Sequence, residues 1–79
     1  MNLSELLPFT PAVVDEVINV AGDDPIAKRL RELGFVSGEA VRIVARSPIG
    51  ADPLLVQVGF TRFALRRSEA QRVRIHVAS

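Results

Sequence analysis

The sequence predicts a mostly β protein, a small antiparallel barrel of about five strands with one main α-helix and short helical turns. Its 79 residues suit a single domain spanning residues 1–79, with one small core. Short runs rich in β-branched residues are separated by glycine and proline turn signals, as in all-β domains. A sheet built from such strands must close or leave edges that recruit other chains, which favours a barrel.

The first segment of the chain predicts a helical turn followed by a strand. Asn2 and Glu5 have the spacing of a capping box, so we expect one helical turn over residues 3–7. Residues 12–20 are rich in valine and isoleucine and predict a strand. The alternation of apolar and polar residues breaks near Asp15, which predicts a bulge or bend there.

The main helix has a clear beginning and end in the sequence. Asp24 before Pro25 is typical of an N-cap followed by proline at the first helical position. The helix is expected to continue to about Leu33, with Gly34 adopting a positive φ and Phe35 folding back onto the last turn. An apolar stripe should face the core, formed by Ile26, Leu30 and Leu33.

The second half of the chain predicts four strands joined by turns. Each strand contains valine, isoleucine, leucine or phenylalanine on at least one face, and breakers lie between them. The capping box that we expect near the C-terminus begins with Ser68. The expected segments are strands over 41–46, 54–58, 62–66 and 73–77, a loop over 47–53, a hairpin turn over 59–61 and the capping box over 68–71.

Composition limits the functions that this chain can have. It contains no cysteine, which excludes disulfides and thiolate chemistry, and no apolar run approaches the roughly 20 residues of a membrane helix. The N-terminus lacks a signal-peptide pattern, so we expect a soluble cytoplasmic protein. The net charge is +1, but most acidic residues come early and most arginines late. The two sets either pair in space or leave a basic surface for an acidic partner or phosphates.

Catalytic and metal-binding patterns are weak. His76 is the only histidine, so it is at most a weak surface metal candidate together with a neighbouring carboxylate. The serines have no other histidine base, and no glycine-rich loop ends in the Gly-Lys-Ser/Thr of a P-loop. We therefore expect no cofactor and no enzymatic activity.

Several motifs together carry a resemblance to a known family. Leu30-Arg31-Glu32-Leu33-Gly34-Phe35 with Gly38, the loop Ser47-Pro48-Ile49-Gly50, and Thr61-Arg62-Phe63-Ala64-Leu65-Arg66-Arg67-Ser68-Glu69-Ala70 resemble the FeoA family, as does the opening Leu3-Ser4-Glu5-Leu6. One departure lies at Phe9-Thr10-Pro11, where the family usually has a glycine-bearing turn. The resemblance implies an SH3-like barrel and a small cytoplasmic accessory protein that contacts FeoB, a membrane ferrous iron transporter carrying a GTPase domain.

A contact function requires an exposed docking surface. We expect an apolar and basic surface on the barrel, with the candidate residues Leu55, Phe60, Arg62, Arg66 and Arg67. Alternatively, Phe60 is buried in the core, as most phenylalanines are. Pairing of barrel edges would allow a homodimer.

The alternative function is a nucleic-acid-binding β-barrel that uses the arginine-rich C-terminal half, with Phe60 and Phe63 beside Arg62. The near-neutral charge and the few aromatic residues argue against it, so no nucleic acid partner is expected. A third alternative is the detached SH3-like tail of a metal-dependent repressor. The start at Met1, with no winged-helix portion before it, makes us expect otherwise.

Overall fold

The computed structural model describes residues 1–47 and 52–78 and contains one five-stranded antiparallel sheet with the strand order β4-β3-β2-β1-β5. The described part is mostly β and antiparallel, as predicted. Two helices and a 3₁₀ turn accompany the sheet. In chain order the elements are the 3₁₀ turn Leu3–Glu5, β1 Ala12–Val17, α1 Pro25–Glu32, β2 Ala40–Arg46, β3 Leu54–Val58, β4 Thr61–Leu65, α2 Arg67–Ala70 and β5 Val73–Val77.

A single apolar core fills the space between the sheet, α1 and the N-terminal turn. The strands contribute the alternate residues that face inward, and the helix contributes its apolar stripe. Ile26 and Leu33 are partly buried at the margins of that stripe, whereas Leu30 is fully buried. The largest fully buried side chains are Phe35, Leu3, Leu6, Leu30, Ile43, Leu54 and Leu65.

Two of the three predicted caps are confirmed, those of the 3₁₀ turn and of α1. The carboxylate of Glu5 accepts a hydrogen bond from the Asn2 backbone N–H at 2.8 Å, and Asn2 Oδ1 accepts one from the Ser4 N–H at 2.9 Å. The 3₁₀ turn ends at Glu5 rather than at residue 7, because Leu6 already has extended backbone angles. Asp24 caps α1, as the sequence predicts.

The end of α1 also follows the prediction. Gly34 has a φ of +111°, a conformation that residues with a Cβ rarely adopt. The Phe35 N–H donates to the Leu30 carbonyl at 3.1 Å, and the Phe35 ring is fully buried. The glycine therefore turns the chain so that the next side chain enters the core.

Two register shifts alter the outer faces of the strands. The bulge predicted near Asp15 is present between Val14 and Glu16, and β1 ends at Val17 instead of residue 20. A second shift, which the sequence did not predict, lies between Ile43 and Ala45 in β2. It leaves Ala45 exposed, whereas strict alternation after the buried Ile43 would turn this residue inward.

The C-terminal capping box begins earlier than predicted. α2 starts at Arg67, and Glu69 Oε1 accepts a hydrogen bond from the backbone N–H of Arg66 at 2.8 Å. Ser68 therefore lies inside the helix, and the prediction that it is the cap was wrong. The glutamate decides the register, because it reaches back three residues to the last extended residue after β4.

The expected loop over 47–53 lies partly outside the described residues. Only its ends are described, where the Ser47 N–H donates to the Pro53 carbonyl at 3.2 Å. In the part of the chain that the structure describes, no helix is long and apolar enough to cross a membrane.

Candidate partner-binding surface

The hairpin between β3 and β4 places an aromatic ring in solvent. Gly59 occupies the first of its two loop positions with a φ of +56°, as in type II′ turns, where glycine is preferred. Phe60 occupies the second position and is 103% exposed. Phe60 is thus not a core residue, and its ring touches little of its own protein.

Two rows of side chains cross the outer face of β2, β3 and β4. The register aligns Arg42, Gln57 and Arg62 in one row. Arg62 Nε donates to Gln57 Oε1 at 3.2 Å, so the glutamine orients that guanidinium. The second row is apolar and consists of Ala45, Leu55 and Ala64. Leu55 is half-buried between its two small exposed neighbours.

Arg66 and Arg67 follow β4 at the end away from the hairpin tip. Glu69 accepts from the Arg66 N–H, and Asp52 Oδ1 accepts from the Arg67 N–H at 2.8 Å. These carboxylates bind the backbone N–H groups of Arg66 and Arg67 and not the guanidinium groups of the same two residues. Among residues 1–47 and 52–78, no carboxylate lies within 4.0 Å of the side-chain nitrogens of Arg42, Arg62, Arg66 or Arg67.

The five docking candidates lie on one hairpin and its continuation, but they do not converge. Phe60 and Arg66 are separated by six residues of extended chain, which corresponds to about 20 Å. Arg62 lies near the Phe60 end, and Leu55 pairs with Ala64 in the middle. We call the residues Leu55, Phe60, Arg62, Arg66 and Arg67 the β4 strip. An elongated strip suits an extended partner better than a small molecule. That it binds a partner stays a prediction.

His76 lies on β5, at the other end of the strand order from the β4 strip. Its Nδ1 is 2.5 Å from Asp15 Oδ1, and both side chains are substantially exposed, at 59% and 42%. The neighbouring carboxylate that the sequence analysis anticipated is thus present. Within the described ranges, no cluster of three or more His, Cys, Asp or Glu side chains is arranged to hold a metal ion.

Asp24 does more than cap α1. Besides the Ile26 and Ala27 N–H groups, its carboxylate accepts hydrogen bonds from the Val20 N–H and from Arg72 Nε, the latter at 2.8 Å. The hydrogen bond from Arg72, with those from the backbone, holds the pKa of Asp24 well below its usual range. No local pattern in the sequence points to Arg72, which lies 48 residues further along the chain.

A second exposed apolar segment was not among the predicted docking residues. Phe9 is 67% exposed and has a φ of +64°, which is rare for a bulky side chain. Its N–H donates to the Ile43 carbonyl at 2.7 Å, which anchors the loop to β2. The departure at Phe9-Thr10-Pro11 is the signal that could have drawn attention here, because a glycine would accept this backbone conformation without strain.

Comparisons with known proteins agree with this architecture. The sequence model of the protein family described as "FeoA domain" matches residues 1–77 of this chain. The chain belongs to the FeoA family. A FeoA from Stenotrophomonas maltophilia, whose crystal structure is complexed with zinc and described as a prokaryotic SH3 domain protein, is 63% identical. The two superpose with a TM-score of 0.89 over 96% of this chain and 89% of that one.

A curated relative joins this domain to a transporter. The Fe(2+) transport protein A/Fe(2+) transporter FeoB fusion protein of Porphyromonas gingivalis is 32% identical over 79 residues. The match covers all of this chain but only 9% of the length of that relative.

A manganese-dependent transcriptional repressor has the same fold over part of its length. It is 15% identical, with a TM-score of 0.81 over 100% of this chain and 41% of the repressor. At this identity the likeness concerns the fold alone and says nothing about nucleic acid binding.

Proposed function

We propose that this FeoA family protein is a cytoplasmic accessory protein of ferrous iron uptake that acts by contact with the transporter FeoB. It is a binding module and not an enzyme, and it changes the assembly, nucleotide handling or gating of its partner. The family membership and the fused FeoB relative support the choice of partner. Fusion keeps the two domains in one polypeptide, which favours a working contact between them.

The observation that carries the contact proposal is the β4 strip. It combines a fully exposed phenylalanine with guanidinium groups that lack acidic partners in the described part of the chain. Aromatic and arginine side chains are enriched at the energetic centres of protein interfaces. Both kinds of group gain contacts on binding without breaking an ion pair among the described residues.

The experiment is an NMR titration of the labelled protein with the soluble cytoplasmic domain of its cognate FeoB, in the GDP-bound and GTP-analogue-bound states. We expect shifts on β4 and at Phe60. Phe60→Ser should weaken binding at least tenfold, because the ring has little other role, and its melting temperature should be unchanged. Phe9→Ser is the matched control, since Phe9 is a second exposed aromatic residue outside the strip.

Two results would contradict the proposal in different ways. If Phe9→Ser abolished binding and Phe60→Ser did not, the partner would use another surface. If no FeoB domain bound and single-stranded RNA bound with a steep dependence on salt, the nucleic-acid function would be the correct one.

A further inference from the structure

The two end strands of the sheet differ in how their outer edges are occupied. β4 and β5 are the outermost strands. The outer edge of β5 is covered by the N-terminus, because the Ile75 N–H donates to the Met1 carbonyl at 3.0 Å and Asn2 forms a bridge with Arg74. No such bond from the described residues reaches the outer edge of β4. Among residues 1–47 and 52–78, nothing therefore pairs with the outer edge of β4, and we call it the open edge of the sheet.

The hairpin register identifies which backbone groups are free. In a two-residue hairpin, the residues that flank the loop exchange hydrogen bonds, and the next pair does not. Thr61, Phe63 and Leu65 thus bond to β3, whereas the N–H and C=O groups of Arg62 and Ala64 point outward. Both residues are exposed. Beyond them, the Arg66 N–H is already taken by Glu69, which ends the free edge.

Two arginine side chains lie next to this edge, on the same face of β4 and its continuation. Arg62, Ala64 and Arg66 lie on the same face, because alternate residues of an extended chain do so, and Arg66 is still extended with φ −69° and ψ 151°. Their positions put the two arginines about 13 Å apart. Ala64 between them leaves room for a neighbouring side chain.

We propose that the free edge of β4 takes up an extended acidic segment of the partner as an added strand, whose two carboxylates lie four residues apart and pair with Arg62 and Arg66. The proposal deepens the FeoB contact proposed above and rests on it for the identity of the partner. Edge addition supplies backbone hydrogen bonds, and charge complementarity selects the segment.

A second copy of this chain fits the edge less well than an acidic segment. Antiparallel pairing of β4 with its own copy would bring Arg62 and Arg66 of one chain against arginines of the other. Like charges placed opposite each other destabilise a sheet, and edge arginines are a common guard against such association. The same charges attract a strand that carries carboxylates.

The first test uses synthetic peptides and the unaltered protein. One acetylated peptide of threonine and valine carries two glutamates four residues apart, so that both lie on one face of a strand. The other has the same composition with its glutamates three residues apart, on opposite faces. We expect the first to bind at least fivefold more tightly, with NMR shifts at Arg62 and Ala64 and slowed amide exchange at Ala64. Equal affinities, or shifts on β5 instead, would overturn the proposal.

Charge reversal gives a second test that does not depend on loss of binding alone. The double variant Arg62→Glu/Arg66→Glu should lose the glutamate peptide and gain a peptide with lysines at the same two positions. Arg74→Glu on β5 is the matched control and should keep the original preference. Failure of the lysine peptide to bind a folded double variant would refute the pairing.

The cytoplasmic domain of FeoB separates this inference from the proposed function. If that domain binds the unaltered protein and the double variant equally, the edge proposal is wrong and the FeoB contact stands. If the glutamate peptide binds as expected and the FeoB domain does not bind, the edge proposal stands and the partner is another protein. Tighter binding of single-stranded RNA than of either peptide would overturn the acidic-segment assignment.

Discussion

The two sides of the barrel use their charged residues in opposite ways. On the side of α1, β1 and β5, Asp24 binds Arg72, and Asp15 binds His76. Arg31 adds two hydrogen bonds, to the Val17 carbonyl at 2.8 Å and to Asn19 Oδ1 at 2.7 Å. On the side of β4, the arginine side chains have no acidic partner among the described residues.

This difference separates charges that hold the fold together from charges that are available to a partner. The Asp24–Arg72 pair is nearly buried, with 5% and 17% of the side chains exposed, and joins the start of α1 to the segment after α2. Removing either partner would leave a buried polar group without its bond. Removing an arginine from the β4 strip leaves no buried group without its bond, because the one hydrogen bond lost with Arg62, to Gln57 Oε1, is exposed to solvent. Stability measurements should therefore distinguish the two sides.

The largest effect is expected from Asp24→Asn. Asparagine keeps one acceptor for the Ile26 and Ala27 N–H groups, but its NH₂ group would face Arg72 Nε and the Val20 N–H, which are both donors. We expect the melting temperature to fall by roughly 10 °C or more, since breaking a buried pair is strongly destabilising.

Arg62→Gln is the control for Asp24→Asn, because it removes a charge from the other side of the barrel. Its melting temperature should stay within about 2 °C of the unaltered protein, as for most exposed substitutions. Similar losses in both variants would remove the distinction between the two sides.

The second prediction concerns how the stability of the protein falls at acidic pH. The pKa of Asp24 is lower in the folded protein than in the unfolded chain, where it is about 4. The unfolded state therefore takes up a proton first, and the stability that Asp24 contributes is present above pH 4 and is lost as the pH falls below it. Urea unfolding at several pH values between about 2 and 7 should show a steeper loss for the unaltered protein than for Asp24→Asn. Parallel curves would mean that this carboxylate is not linked to folding.

The sequence predicted the elements whose signals are local. Asn2, Asp24 and Gly34 each act within a few residues, so the first two caps and the end of α1 could be recognised from spacing alone. The prediction of a cap at Ser68 was wrong because the side chain of Glu69 accepts from the Arg66 N–H, three residues before it, so that the helix begins at Arg67. The exposure of Ala45 had no signal in the sequence, because a bulge in β2 changes which side of the sheet the following residue faces.

Long-range features of the site had no comparable signal. The pairing of early acids with late basic residues was anticipated as a general outcome, and Arg72 and His76 follow it. Which arginines would remain unpaired depended on the strand order, because the hairpin of β3 and β4 lies away from β1 and β5. The exposure of Phe60 was one of two predicted alternatives, and only the structure decided between them.

The smallest effect is expected from His76→Ala, which tests the exposed pair on the well-paired side. Because both His76 and Asp15 are largely in solvent, their interaction is expected to contribute only about 0–1 kcal/mol to the free energy of unfolding. Urea denaturation at neutral pH measures this, with Arg74→Ala on the same strand as control.

A zinc titration of the unaltered protein and of His76→Ala then tests His76 as a metal ligand. The described residues supply two neighbouring ligands, whereas stable zinc sites use three or four, so we expect zinc to shift both melting temperatures equally. A shift that disappears in His76→Ala would instead make this pair a metal site and move it from the structural side of the comparison to the functional one.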